Sequence, residues 1–151
     1  MMIKTHLAIG LAVALYFLPF VNDEFIFFSM VIISTLLPEA GSVLTFIKKK
    51  KSLKLGKDAG PGNVIHTYTF AVAVSIFFAL FYPVLALPFF IGYSFHLFAD
   101  SFTIQGIKPF WPLKYTSTGP VRVGGSMERG IFVSFILVDL VLGIVFLATR
   151  F

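Results

Sequence analysis

A histidine and an aspartate, four residues apart, end an otherwise aromatic and aliphatic stretch, GYSFHLFADSF at residues 92–102. On a helix His96 and Asp100 share one face. Imidazole and carboxylate set side by side grip one metal ion or one substrate group, and both are standard ligands for zinc and other divalent metals. Two further histidines, His6 and His66, and a carboxylate, Glu39, lie near the ends of other apolar runs. The chain has no cysteine, so thiolate metal sites, disulfides and cysteine nucleophiles are excluded. A metal here must be held by histidine, carboxylate or backbone oxygen. The expected cofactor is a divalent ion, zinc first and manganese as the alternative. Such an ion would activate water near neutral pH and polarise a carbonyl or phosphoryl oxygen. Taken singly, each side chain has a plainer use: an interfacial hydrogen bond for a histidine, a cap on the following turn for Asp100.

The elements that carry these residues are greasy. The 151-residue chain is 58% hydrophobic and 13% charged, with twenty Phe and seven acidic residues. Soluble domains average roughly 45–50% apolar and about 25% charged. The composition therefore reads as one integral membrane domain, residues 1–151. Apolar runs cover about 7–21, 25–37, 68–99 and 131–149. A spanning helix needs roughly 20 apolar residues. The run 131–149 fits directly, and 68–99 is too long for one crossing and divides at Tyr82-Pro83. The first run leads into more apolar sequence with no small-residue cleavage site, so it reads as a retained helix. The second run continues past Pro38 toward Ile47, which embeds Glu39 near the membrane boundary. The expectation is an all-α bundle of about five transmembrane helices, with four as the alternative.

Two segments punctuate the runs. Residues 48–63 hold six of the twelve basic residues, and residues 103–130, rich in Gly and Pro, hold four more. Short basic loops stay in the cytoplasm. With both loops there, the amino end is cytoplasmic and the chain crosses five times; only Arg150 falls outside. His6, Glu39, His66, His96 and Asp100 then reach one side of the membrane from four different helices. Ionisable residues in a membrane domain are expensive, so their alignment at one depth reads as a site. Lys48, Lys49, Lys50 and Lys51 are candidates for contact with anionic headgroups, or serve only to fix topology. Phe110, Trp111 and Tyr115 read as an interfacial belt. Asp139 sits mid-helix and should face the bundle interior. No G-x-S-x-G, HExxH or P-loop occurs. The expected partners are membrane lipids, with no nucleic acid.

The stretches THLAIGLAVAL at 5–15, LLPEAGS at 36–42, VIHTYTF at 64–70, GYSFHLFADSFTIQGIKPFWP at 92–112 and GGSMERGI at 124–131 occur in the order of one family. The chain resembles the YdjM-type inner-membrane metal-dependent hydrolases along nearly its whole length. The most specific part is the G-Y-x-x-H-x-x-x-D-x-x-T-x-x-G core, matched by Gly92, Tyr93, His96, Asp100, Thr103 and Gly106, with Trp111-Pro112 after it. Glu128-Arg129 matches a Glu-Arg pair before the last helix. The resemblance implies a helical membrane protein whose metal ligands fall on His6, Glu39, His66, His96 and Asp100. The chain also departs from the pattern. The family's L-P-D-x-D-H is Leu37-Pro38-Glu39-Ala40-Gly41-Ser42 here, and its H-R-G-x-T-H is Pro61-Gly62-Asn63-Val64-Ile65-His66. What remains is a single site, or a member that keeps the fold without the catalysis.

The function expected from these residues is hydrolysis at the cytoplasmic membrane face, of a lipid or phosphoester. Glu39 and Asp100 are the candidate catalytic carboxylates, beside a metal on the His and carboxylate set. The alternatives are a non-catalytic membrane protein of the same fold that binds lipid or a partner, and, third, a small transporter or channel.

Overall fold

Pro83 divides the long apolar run where its chemistry requires. Proline has a fixed φ and no N–H, so it suits the first position of a helix and pushes the residue before it out of the helical region. Tyr82 has φ −144° and ψ 71°, and Pro83 opens the next helix. The structure is a computed structural model that describes residues 1–51, 64–113 and 115–150, the side chains of 40–51 excepted. Among these residues there are five α-helices and no strand: α1 Ile3–Phe17, α2 Glu24–Lys51, α3 Tyr68–Phe81, α4 Pro83–Ser101 and α5 Ser126–Ala148. The all-α bundle expected from composition is what the chain forms.

Pro38 does not end α2, which runs unbroken for 28 residues, about 42 Å at 1.5 Å per residue. A proline leaves the carbonyl four residues earlier without its usual donor. Membrane helices tolerate this because neighbouring helices and Ser/Thr side chains satisfy freed groups. The basic stretch expected to be a loop from residue 48 is thus helical in its backbone as far as Lys51. Residues 52–63, and the side chains of Lys48, Lys49, Lys50 and Lys51 with their expected headgroup contacts, lie outside the described residues.

α4 is the central helix: α2, α3 and α1 all pack on it, and α5 leans on α1. α2 approaches α4 closely because the contact is made of small residues. A Cβ on Gly92 would stand 2.2 Å from Ser34 Oγ and 2.4 Å from the Val31 carbonyl oxygen. Ser34 and Thr35 are buried in that seam, and Thr35 Oγ1 donates to the Val31 carbonyl at 2.7 Å and lies 3.2 Å from that of Gly92. One apolar cluster gathers Ile9, Val13, Leu18, Phe27, Val31 and Ala99, and a second gathers Ala71, Phe89, Tyr93, Leu97 and Ile107.

α5 is inside out by the standard of a soluble protein. Its buried residues are Glu128 and Asp139, whereas Val133, Leu137, Leu140, Val141, Ile144 and Leu147 are exposed. In water that arrangement would leave a large apolar patch uncovered. In lipid it is the stable one, since acidic groups avoid hydrocarbon. Among the described residues three segments are long and apolar enough to span: Ile3–Phe20, Pro83–Ser101 and Ser126–Arg150. α3, with 14 residues, reaches about 21 Å against a hydrocarbon core of roughly 30 Å.

The Gly/Pro-rich loop between α4 and α5 is strapped back onto the helix ends. Thr103 Oγ1 donates to the Asp100 carbonyl at 2.7 Å and accepts from Gly106 N at 3.1 Å, closing α4. Gly106 has φ 63°, and a Cβ there would meet the Ser117 carbonyl oxygen at 2.2 Å, so only glycine fits. Further on, the Pro109 and Trp111 carbonyls accept from Tyr68 N at 2.7 Å and Thr69 Oγ1 at 2.9 Å, which ties the loop to the start of α3.

Candidate metal centre

Asp100 is the hub of the site. It lies one residue before the end of α4, one turn beyond His96, and its Oδ2 is 3.3 Å from His96 Nε2. α1 brings His6 Nε2 to 3.1 Å from the other oxygen, Oδ1, which also contacts the Met1 amino group at 2.5 Å. The His6 and His96 rings are stacked, with centroids 3.9 Å apart and planes 19° from parallel. Both histidines are completely buried and Asp100 is buried with them. One ligand atom from each of His6, His96 and Asp100 lies within 4.8 Å of the others. A tetrahedral zinc with bonds of about 2.0–2.2 Å spaces its ligands roughly 3.3–3.6 Å apart, so small side-chain movements suffice.

The tautomer of His96 follows from its backbone partner. His96 Nδ1 is 2.7 Å from the carbonyl oxygen of Thr35 on α2. A carbonyl only accepts, so the ring proton of the neutral imidazole is on Nδ1 and Nε2 presents a lone pair. That lone pair faces a carboxylate oxygen and has no hydrogen-bond partner. Two electron-rich atoms at 3.3 Å repel unless a proton or a metal cation stands between them. Both ring nitrogens of His6 are likewise buried without a hydrogen bond, because Nε2 meets Asp100 outside hydrogen-bonding geometry. Buried polar atoms are nearly always satisfied, so such orphans point to a missing partner. Two imidazoles and a carboxylate fit a divalent metal, and a backbone carbonyl behind a histidine is the usual way to orient such a ligand.

The other two candidates stand at the rim. His66, in a 3-10 turn Val64–His66, has Nε2 3.9 Å from Asp100 Oδ2. Glu39 Oε1 is 4.0 Å from His6 Nε2. Each side chain keeps about a quarter of its surface exposed, 24% in both cases, so these two are the solvent-reaching members of the set. Burial, and next the neighbouring His96, push the His66 imidazole below its ordinary value, with Asp100 opposing. A neutral imidazole at that position keeps a lone pair for a ligand or a proton. All five residues singled out in the sequence thus converge at one end of the bundle, three as an inner set and two at its rim.

Two contributors were not assigned in the sequence. Thr35 acts through its carbonyl, which carries no residue-type signature. Glu128, in the first turn of α5, is 1% exposed and accepts from Met2 N at 2.5 Å, Thr5 Oγ1 at 3.0 Å and Gly124 N at 2.5 Å. Its signal was an acid three residues into a helix after Gly-Gly, the capping-box position. Asp139 does face the bundle interior, where both its oxygens lack a hydrogen-bond partner.

Comparison with curated proteins and with solved structures gave no match. The family model described as YdjM inner membrane protein matches residues 1–150. With a match of that extent, and a bundle whose outermost helix turns its acids inward and its apolar side chains out, the chain belongs to the YdjM family of inner membrane proteins.

Proposed function

We propose that this inner membrane protein is a metal-dependent hydrolase acting at the cytoplasmic face on a lipid or phosphoester. The observation that carries the reading is the lone pair of His96 Nε2 held against Asp100 Oδ2, beside His6, with His96 Nε2 and both His6 ring nitrogens buried and without hydrogen-bond partners. A divalent metal on His6, His96 and Asp100, zinc first and manganese second, would supply activation of water and polarisation of the scissile group. The chain's own groups do the rest. Thr35 holds the His96 ring in one orientation through Nδ1. Glu39, at the rim, accepts the proton of the attacking water as general base. His66, kept neutral by burial, stands on the other side of Asp100 as a lone-pair donor, and Glu39 passes the proton it takes from water on to the leaving group. The buried floor excludes bulk water, which strengthens each of these interactions.

The test is metal content by elemental mass spectrometry of the detergent-purified protein, beside a His96→Ala, Asp100→Ala double variant that still folds. About one zinc or manganese per chain, absent from the variant, supports the reading and justifies screening phosphoesters and lipids. No metal in either protein, even after loading, leaves a non-catalytic member of the family.

A further inference from the structure

The Glu128 carboxylate belongs to no part of the proposed chemistry, yet it is among the most deeply buried charged groups in the molecule. It lies at the third position of α5, after the helix cap Gly125. There it reaches back to its own turn, accepting the Gly124 N–H on Oε2 at 2.5 Å. The same carboxylate turns its other oxygen to a different helix. Oε1 accepts Met2 N–H at 2.5 Å and Thr5 Oγ1–H at 3.0 Å, from residues 126 and 123 positions away. α1 has Met2 at its cap and no side-chain cap of its own. Free amides at a helix start attract an anion through hydrogen bonding and the helix dipole. Glu128 meets that need from α5. Met2 is therefore held on both sides: its N–H by Glu128, its carbonyl by Thr5 N at 2.9 Å and His6 N at 3.2 Å.

We propose that Glu128 is a positioning residue for the metal centre: by clamping the first turn of α1 it holds the His6 ring against His96 and Asp100. This rests on the metal reading above. His6 needs such outside support, because neither ring nitrogen has a hydrogen bond to orient it. His96 takes its orientation from Thr35, whereas His6 depends on where its backbone is put. Glu128 does not touch the metal ligands in any hydrogen bond of its own, so its effect passes through Met2 and Thr5.

The experiment is cobalt(II) titration of the full-length, detergent-purified protein, reading affinity and the visible ligand-field spectrum, with zinc competition. Glu128→Gln keeps the shape but puts an amide where two acceptor oxygens stood. It should weaken metal binding by about 10–100-fold and change the cobalt spectrum, as loss of outer support does at metal sites. Thr5→Val removes only one donor and guards against misfolding of the first variant; it should weaken binding by roughly 2–10-fold in the same direction. Glu24→Gln, which removes the acidic partner of Arg150 at the other end of the bundle, should leave both readouts unchanged. Unchanged affinity and spectrum in Glu128→Gln and Thr5→Val, with cobalt bound by the unaltered protein, would overturn this inference alone. No cobalt bound by the unaltered protein overturns the metal reading and this inference with it.

Discussion

A single backbone oxygen decides what His96 can do. Because Thr35 C=O takes Nδ1–H, the opposite nitrogen of the neutral ring is a base aimed at Asp100, the arrangement on which the proposed metal site rests. His96 and Asp100 were legible from their types and spacing, since a histidine and a carboxylate in so apolar a run are costly enough to signal a purpose. The tautomer was not legible, because the oxygen that sets it belongs to a residue 61 positions away. The geometry also depends on one missing methyl. Gly92 lets α4 close on Ser34 and Val31, and a Cβ there would have to displace Val31 backbone. Gly92→Ala should therefore lower thermal stability in detergent by about 1–3 kcal/mol. Gly143→Ala, with nothing within 4 Å of the added carbon, should be neutral to stabilising by up to about 1 kcal/mol. Equal melting temperatures for the two variants would mean that the α2–α4 seam is looser than this packing.

At the scale of elements, α5 shows how a helix can be read correctly in length and yet hide its use. Its apolar run marked a span, and the structure starts the helix five residues before that run, at Ser126. The added turn carries Glu128, whose partners come from α1. Asp139, eleven residues on, is buried with both oxygens unsatisfied. An unsatisfied buried polar group costs about 1–3 kcal/mol, and an apolar replacement of similar size removes that cost. Asp139→Leu should accordingly raise the unfolding midpoint in a detergent melt and leave metal content unchanged. A drop in stability would show that the carboxyl has a partner that the α1–α5 contact does not supply. At the far end, Arg150 pairs with Glu24 of α2, which neutralises the one basic residue that the topology put outside.

At the scale of the whole molecule, the loop from residue 102 to 125 is a strap across the ends of the site-bearing helices. It closes α4 just beyond Asp100, holds the start of α3 just beyond His66, and ends at the Gly124 turn that Glu128 binds beside α1. Phe110, Trp111 and Tyr115 point out from it, each more than half exposed, as an interfacial belt would. Positive residues crowd this end in the sequence, which predicts that it faces the cytoplasm. The natural chain lacks cysteine, so single introduced thiols report orientation cleanly. Thr116→Cys should react with a membrane-impermeant maleimide only after cells are opened, and Asn22→Cys should react in intact cells. The reverse pattern would invert the topology and move the candidate site to the other face.

Local chemistry was enough to determine the helices, the break at Pro83, the membrane setting and the residue types of the candidate site. Each depends on near neighbours: apolar run length, the missing N–H of proline, and the cost of charge in hydrocarbon. The continuation of α2 past Pro38 toward Ile47 was legible in its apolar run, and the structure carries the helix backbone on to Lys51. Tertiary structure alone decided which of five ligand candidates form the inner set and which the rim, since that depends on side-chain reach between helices packed through Gly92, Ser34 and Thr35. It alone joined Glu128 to the start of α1, a contact between residues more than 120 positions apart. Such contacts arise only when separate helices are brought together, and no spacing within the chain encodes them.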